Sequence, residues 1–87
     1  PLHLAAAQNK AGAVEALLEG GADPNALSEA GGTPLHEAAA SADREIVAML
    51  LNAGSDPSVV SEHGVTALDL ASEHGNEEAL ELLKAEE

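Results

Sequence analysis

Four histidines, His3, His36, His63 and His74, are the side chains of this chain best suited to bind a metal or move a proton, and sixteen acidic residues surround them. Neutral imidazole is a common zinc ligand and a general base near neutral pH. A dedicated zinc site sets its ligands at a fixed local spacing, such as two histidines four apart on one helix, and no pair here has it. His63 and His74, each beside a glutamate (Glu62 and Glu73), are the best remaining grouping. If those four faced one pocket they would hold zinc only weakly. His3 and His36 recur in one sequence context and read as structural residues, because a buried imidazole needs partners. The serines Ser28, Ser41, Ser55, Ser58, Ser61 and Ser72 lie outside any Gly-x-Ser-x-Gly elbow. Gly20-Gly21 and Gly31-Gly32 are turn pairs rather than a phosphate loop. Carboxylates are abundant, but an acid–base pair needs a water-excluding cleft to tune it. No metal, no cofactor and no enzymatic activity are expected.

The elements that must position these side chains are constrained by composition. Eighty-seven residues make one domain, residues 1–87, with room for a single core. Nineteen alanines and thirteen leucines dominate the apolar set, and there is no Phe, Trp or Tyr. Such a core fills only if thin helices approach closely and interlock. A β-sandwich would want β-branched and aromatic residues instead. The net charge of −13, from sixteen acids against Lys10, Arg44 and Lys84, repels phosphate backbones and anionic membranes. It favours solubility and basic partners. There is no cysteine, hence no disulfide. No apolar run nears the roughly 20 residues that span a bilayer. No leader is seen, which fits a cytoplasmic location.

Self-similarity organises the whole chain. Pro1-Leu2-His3 returns as Pro34-Leu35-His36 and again as Ala67-Leu68-Asp69, at a spacing of 33 each time. The same offset links Leu17-Leu18 to Leu50-Leu51, Gly21 to Gly54, Asp23-Pro24 to Asp56-Pro57, and Gly31-x-Thr33 to Gly64-x-Thr66. Units of about 1–32, 33–65 and 66–87 follow. Within the middle unit Thr33-Pro34 reads as an N-cap with proline at the first helical position, opening a helix to about Ser41. Asp43 caps a second helix to about Asn52, with Ile46, Val47, Leu50 and Leu51 as its apolar stripe. Gly54 ends it, Asp56-Pro57 extends the chain, and Ser61–Val65 turns toward the Thr66 cap. In the last unit Gly75 separates the helices and Asn76 caps the second.

Helices of roughly eight to ten residues are unstable alone in water, so each unit must bury its stripe against the next. Three columns are predicted: Leu2, Leu35 and Leu68; Val14, Val47 and Leu80; Leu17, Leu50 and Leu83. The fold class expected is all-α, a linear stack of helix pairs.

Thr33-Pro34-Leu35-His36-Glu37-Ala38-Ala39, then Ile46-Val47-x-x-Leu50-Leu51-x-x-Gly54-x-Asp56, resembles the ankyrin repeat. So do Pro1-Leu2-His3-Leu4-Ala5-Ala6 and Thr66-Ala67-Leu68-Asp69-Leu70-Ala71, and the likeness covers essentially the whole chain. The resemblance implies a curved solenoid of antiparallel helix pairs with β-turn loops projecting like fingers. It also implies a partner protein bound at the finger tips and the concave face of the first helices. By position, the finger slots are Leu27, Glu29, Ala30 and Gly32, then Val60, Glu62, His63 and Val65. The helix slots used are Ala40 and Ser41, Glu73 and His74, with Ala7 and Gln8 in the first unit. All are expected to be free of packing duties.

The chain departs from the pattern at four places. Ala42, and Asn9 in the first unit, stand where glycine is favoured between the helices. Asn tolerates a left-handed conformation, which costs Ala about 1 kcal/mol. Gly12 weakens its helix by about 1 kcal/mol. Asp69 replaces the histidine of the other units, so the hydrogen bond at that helix start must differ.

The expected function is that of a monomeric, non-catalytic protein-binding module, with Glu29, Glu37, Glu62 and Glu73 near the concave side steering a basic partner. Leu27, Val60 and Val65 are its expected apolar floor. Two alternatives stand beside it: a segment of a longer array, for which Leu2 and Leu4 would lack a covering neighbour, and an inhibitor that blocks an enzyme.

Overall fold

The computed structural model describes residues 2–28, 31–41 and 44–85. Six helices follow in order: α1 Leu2–Ala7, α2 Ala11–Glu19, α3 Pro34–Ser41, α4 Arg44–Asn52, α5 Ala67–Glu73 and α6 Glu77–Ala85. No strand occurs among the described residues. The first helices α1, α3 and α5 pack side by side, and α2, α4 and α6 form a second row behind them.

Local chemistry starts and stops these helices. The His36 N–H donates to Thr33 Oγ1 at 3.3 Å at the start of α3. At α5 the Asp69 N–H donates to Thr66 Oγ1 at 3.2 Å, while the Thr66 N–H donates to Asp69 Oδ2 at 3.1 Å. That reciprocal pair is a capping box. Asn76 Oδ1 accepts from the Ala79 N–H at 3.3 Å and opens α6. Past α4 the Ser55 N–H donates to the Leu50 carbonyl at 3.0 Å, and past α2 the Ala22 N–H repeats this with Leu17 at 2.9 Å. Gly54 makes the bend between with a φ of 101°. Asn9 is left-handed, with a φ of 58°, in the slot where the pattern favours glycine. Ala42 and Asp43, on which a strained turn and a cap were expected, lie outside the described residues.

Leucine columns assemble much as the repeat predicts. The middle unit is sealed on both sides, and Leu35, Val47 and Leu50 are fully buried. Among the described residues the first and last units each meet one neighbouring unit. There Leu2, Val14 and Leu83 are buried, but Leu17, Leu68 and Leu80 keep part of their surface in water. Alanines 6, 38, 39, 71 and 79 are buried between the helices, which is how a core without rings closes.

Polar ties hold unit to unit. His3 Nε2 donates to the Gly32 carbonyl and His36 Nε2 to the Val65 carbonyl, each at 3.0 Å. Asn25 spans the next gap, donating through Nδ2 to the Gly54 carbonyl at 3.0 Å and accepting from the Asp56 N–H at 2.7 Å. Asn76 Nδ2 reaches back to the Ala39 carbonyl at 3.1 Å. The Ser58 hydroxyl, and then its N–H, hold the Asp56 carboxyl below the usual carboxylate range.

Two glycines should respond oppositely to alanine. Gly12 lies inside α2, and a Cβ there meets nothing within 4 Å. Gly12→Ala should therefore stabilise the fold by about 1 kcal/mol. Gly31 has a φ of 78°, and its Cβ would lie 3.0 Å from the backbone nitrogen of Glu62 on the next finger. Gly31→Ala should cost about 1–2 kcal/mol from the backbone conformation, before any displacement of that finger. Urea midpoints of the two variants should move in opposite directions; a shared direction would contradict these assignments.

Candidate functional site

The fingers are short turns closed by backbone bonds. Ser28 N–H donates to the Gly32 carbonyl at 2.8 Å and Ser61 N–H to the Val65 carbonyl at 2.9 Å. Within them the Gly31 N–H bonds the Ser28 carbonyl, and the Gly64 N–H bonds that of Ser61, both at 2.9 Å. The carbonyl closing each turn is the one that accepts from the histidine of the preceding inner helix. An imidazole thus locks each finger to the stack.

His36 has every ring nitrogen engaged. Its Nδ1 accepts from the Thr33 N–H at 3.1 Å and from the Thr33 hydroxyl at 2.9 Å, while Nε2 faces the Val65 carbonyl. An N–H facing Nδ1 and a carbonyl facing Nε2 assign the proton to Nε2. Asp69, in the equivalent slot of the last unit, makes only the local capping box. This is the altered bond that the substitution implied.

Between the two fingers, above α3 and α5, lies an open cleft of about 170 Å³. Ser28, Gly32, Ser61, His63 and Val65 come from the fingers, and His36, Glu37 and Leu70 from the helices. Pockets for small ligands usually exceed about 300 Å³, so this volume suits one side chain of a larger partner. No lysine or arginine lines it. Glu37 is half-buried on its rim.

Several residues expected on the contact surface are open to solvent. Leu27 and Val60 are 63% and 57% exposed on the fingers. Glu62, His63, Glu73 and His74 are also exposed, and Val65 and Ala40 are half-buried. Glu29 and Ala30 lie outside the described residues. Gly32 is a correction: it is buried, its N–H donates to Ser28 Oγ at 3.2 Å, and its carbonyl serves His3. Packing makes a demand on it because the finger must close there. Ser41 is exposed but its hydroxyl faces inward, with the Ala7 carbonyl at 3.1 Å and that of Glu37 at 3.2 Å as acceptors. It ties α3 to α1.

The histidine grouping also changes. His63 lines the cleft with His36 and Glu37, whereas His74, Glu62 and Glu73 do not line it. Among the described residues no three His, Asp or Glu side chains gather as a metal-binding group. Sequence reasoning did not single out Leu70, which lines the cleft. Leu4 and Leu70 stand 33 residues to either side of Glu37, and that register is the signal that would have found Leu70. Leu2 is buried as a core residue, while Leu4 is 59% exposed. Its counterparts Glu37 and Leu70, each with a preceding unit beside it, are half-buried.

A family model for ankyrin repeats, in three copies, matches residues 2–87. The chain belongs to the ankyrin-repeat family. The matched span includes all six helices, the two fingers and the threonine–proline–leucine–histidine run at Thr33–His36. Ankyrin repeats are protein–protein interaction modules and are generally non-catalytic. Among curated proteins no significant match to the chain is found. No helix among the described residues is long and apolar enough to cross a membrane.

Proposed function

We propose that this ankyrin-repeat chain acts as a monomer and holds a basic partner protein across its finger tips and the concave face of its inner helices, without chemistry of its own. The observation that carries this reading is the distribution of exposed apolar surface. Among the described residues the large hydrophobic side chains left open, Leu4, Leu27 and Val60, belong to an inner helix and to the fingers, while Leu35, Ile46, Leu50 and Leu83 are fully buried. Leu27, Ala40, Ser41, Val60, Glu62, His63, Val65, Glu73 and His74 form the contact set, with Glu29 and Ala30 on the first described finger's tip by sequence. Histidine-locked fingers lose little entropy on docking, which offsets the lack of aromatic anchors. Carboxylates on the same side, against a net charge of −13, favour a basic surface over any other.

Affinity capture from a lysate of the source cells tests this, run beside a chain with Leu27, Glu29, Glu62 and His63 all replaced. A protein retained by the wild type and lost by the variant, with both chains equally folded by circular dichroism, is the expected result. For that captured protein, Glu29→Lys with Glu62→Lys should weaken binding and flatten its dependence on salt. Equal retention by the two chains would overturn the finger-and-face assignment.

A further inference from the structure

The inner helices carry one equivalent position per unit at a constant register: Leu4 on α1 is exposed, while Glu37 on α3 and Leu70 on α5 are half-buried. Read along the stack, the floor is apolar, acidic, apolar. The Glu37 carboxylate meets no donor among the described residues, and Leu70 lies in the same cleft. Two hydroxyls line that cleft as well. Ser28 Oγ accepts from the Gly32 N–H and Ser61 Oγ from the His63 N–H, at 3.2 and 3.3 Å. Neither hydroxyl hydrogen has an acceptor among the described residues. The cleft therefore offers one negative charge and two spare donors, with Val65 and Leu70 as apolar wall.

Spacing selects the ligand backbone. Packed helices sit roughly 8–10 Å apart, which sets the step between successive slots. A polyproline II segment turns once every three residues and rises about 3.1 Å per residue, so it presents one face every 9.3 Å or so. A β-strand takes about three residues over the same step and arrives with its side chain on the opposite face. A helix returns its face about every 10.5 Å, but a body roughly 10–12 Å across cannot enter a cleft sized for one side chain. Polyproline II also leaves its carbonyls without internal partners, and spare hydroxyl donors match that need.

We propose that the inner face binds an extended polyproline II segment of the form apolar-x-x-basic-x-x-apolar. Its central arginine or lysine enters the cleft between Glu37 and Leu70, and its apolar residues flank that cleft along the inner helices, the first of them on Leu4. This rests on the reading that the concave face binds a partner protein, and it names that partner's chemistry.

The test uses the full chain and the synthetic peptide Leu-Pro-Pro-Arg-Pro-Pro-Leu, followed by amide chemical-shift perturbation and fluorescence anisotropy. Saturable shifts at Leu4, Glu37 and Leu70 are expected. Replacing the central arginine by glutamate, or shortening the peptide to Leu-Pro-Arg-Pro-Leu, should weaken binding at least tenfold. Glu37→Arg should do the same for the original peptide and restore affinity for the glutamate version; Glu37→Gln gives a milder loss should the reversal disturb folding. Equal affinity for the arginine and glutamate peptides, absence of saturable shifts, or tighter binding of a helical peptide with seven-residue spacing would each overturn the proposal. If the finger variant still loses its captured protein while the peptide fails, this inference falls and the broader reading stands. Should capture prove independent of the fingers too, both fall.

Discussion

Leu50→Ala should leave this protein largely unfolded at room temperature. Leu50 is fully buried in α4, the helix that packs against α2, α3 and α6. Truncating a buried leucine costs about 2–5 kcal/mol, the upper range applying where surroundings cannot collapse into the gap. The core around it is rich in alanine (Ala38, Ala39, Ala71 and Ala79 are buried), and short side chains have little reach to fill a gap. A domain of this size holds only about 3–5 kcal/mol from its core. In a stack whose stability is a sum of nearest-neighbour interfaces, a lesion in the middle unit weakens both of them at once. Leu27→Ala provides the contrast, since Leu27 is 63% exposed and its loss should stay within about 0.5 kcal/mol. Urea unfolding followed by circular dichroism checks both. A Leu50→Ala midpoint near that of Leu27→Ala would mean that the middle unit does not carry the stack.

His36→Ala has the second largest expected effect, about 2–3 kcal/mol. Removing the ring strips the partner from the buried Thr33 N–H, from the Thr33 hydroxyl and, on the ring's other side, from the Val65 carbonyl. A buried polar group left without its partner costs about 1–3 kcal/mol. The Val65 carbonyl keeps its bond from Ser61 N–H, which limits the total. Asp69→Ala should cost only about 1 kcal/mol, because Asp69 is exposed and contributes a local helix cap. Hydrogen exchange gives the sharper readout. In His36→Ala the Ser61 and Gly64 amides of the Ser61–Val65 finger should exchange faster, although neither bonds to the ring; in Asp69→Ala they should not. Equal costs and unchanged exchange would show that the imidazole does not lock the finger.

These two variants mark what was legible in the residues. The period of 33 and the leucine stripes placed Leu35, Val47 and Leu50 in the core, because burial in a linear stack depends on short helices and their immediate neighbours. The caps at Thr33, Thr66 and Asn76 were legible for the same reason: a cap bonds within three residues of itself. Even the changed chemistry at Asp69 followed from its residue type, since a carboxylate reaches its own helix start and no farther.

What the sequence could not assign was the second duty of each surface position. Gly32 looked like an idle finger residue, and Ser41 like an idle helix end. Yet the Gly32 carbonyl receives the His3 imidazole 29 positions away, and the Ser41 hydroxyl faces the Ala7 carbonyl 34 away. The pairing of His63 with His36 and Glu37, rather than with His74, likewise arises where two fingers meet above α3 and α5. Repetition along the chain determined the helices, their caps and the core by itself, because those depend on contacts a few residues apart or one period apart. Only the tertiary structure decided which of the remaining side chains are used up between units and which stay open to a partner, because a surface position's neighbours are set by the curvature and spacing of the stack, and a linear pattern carries neither.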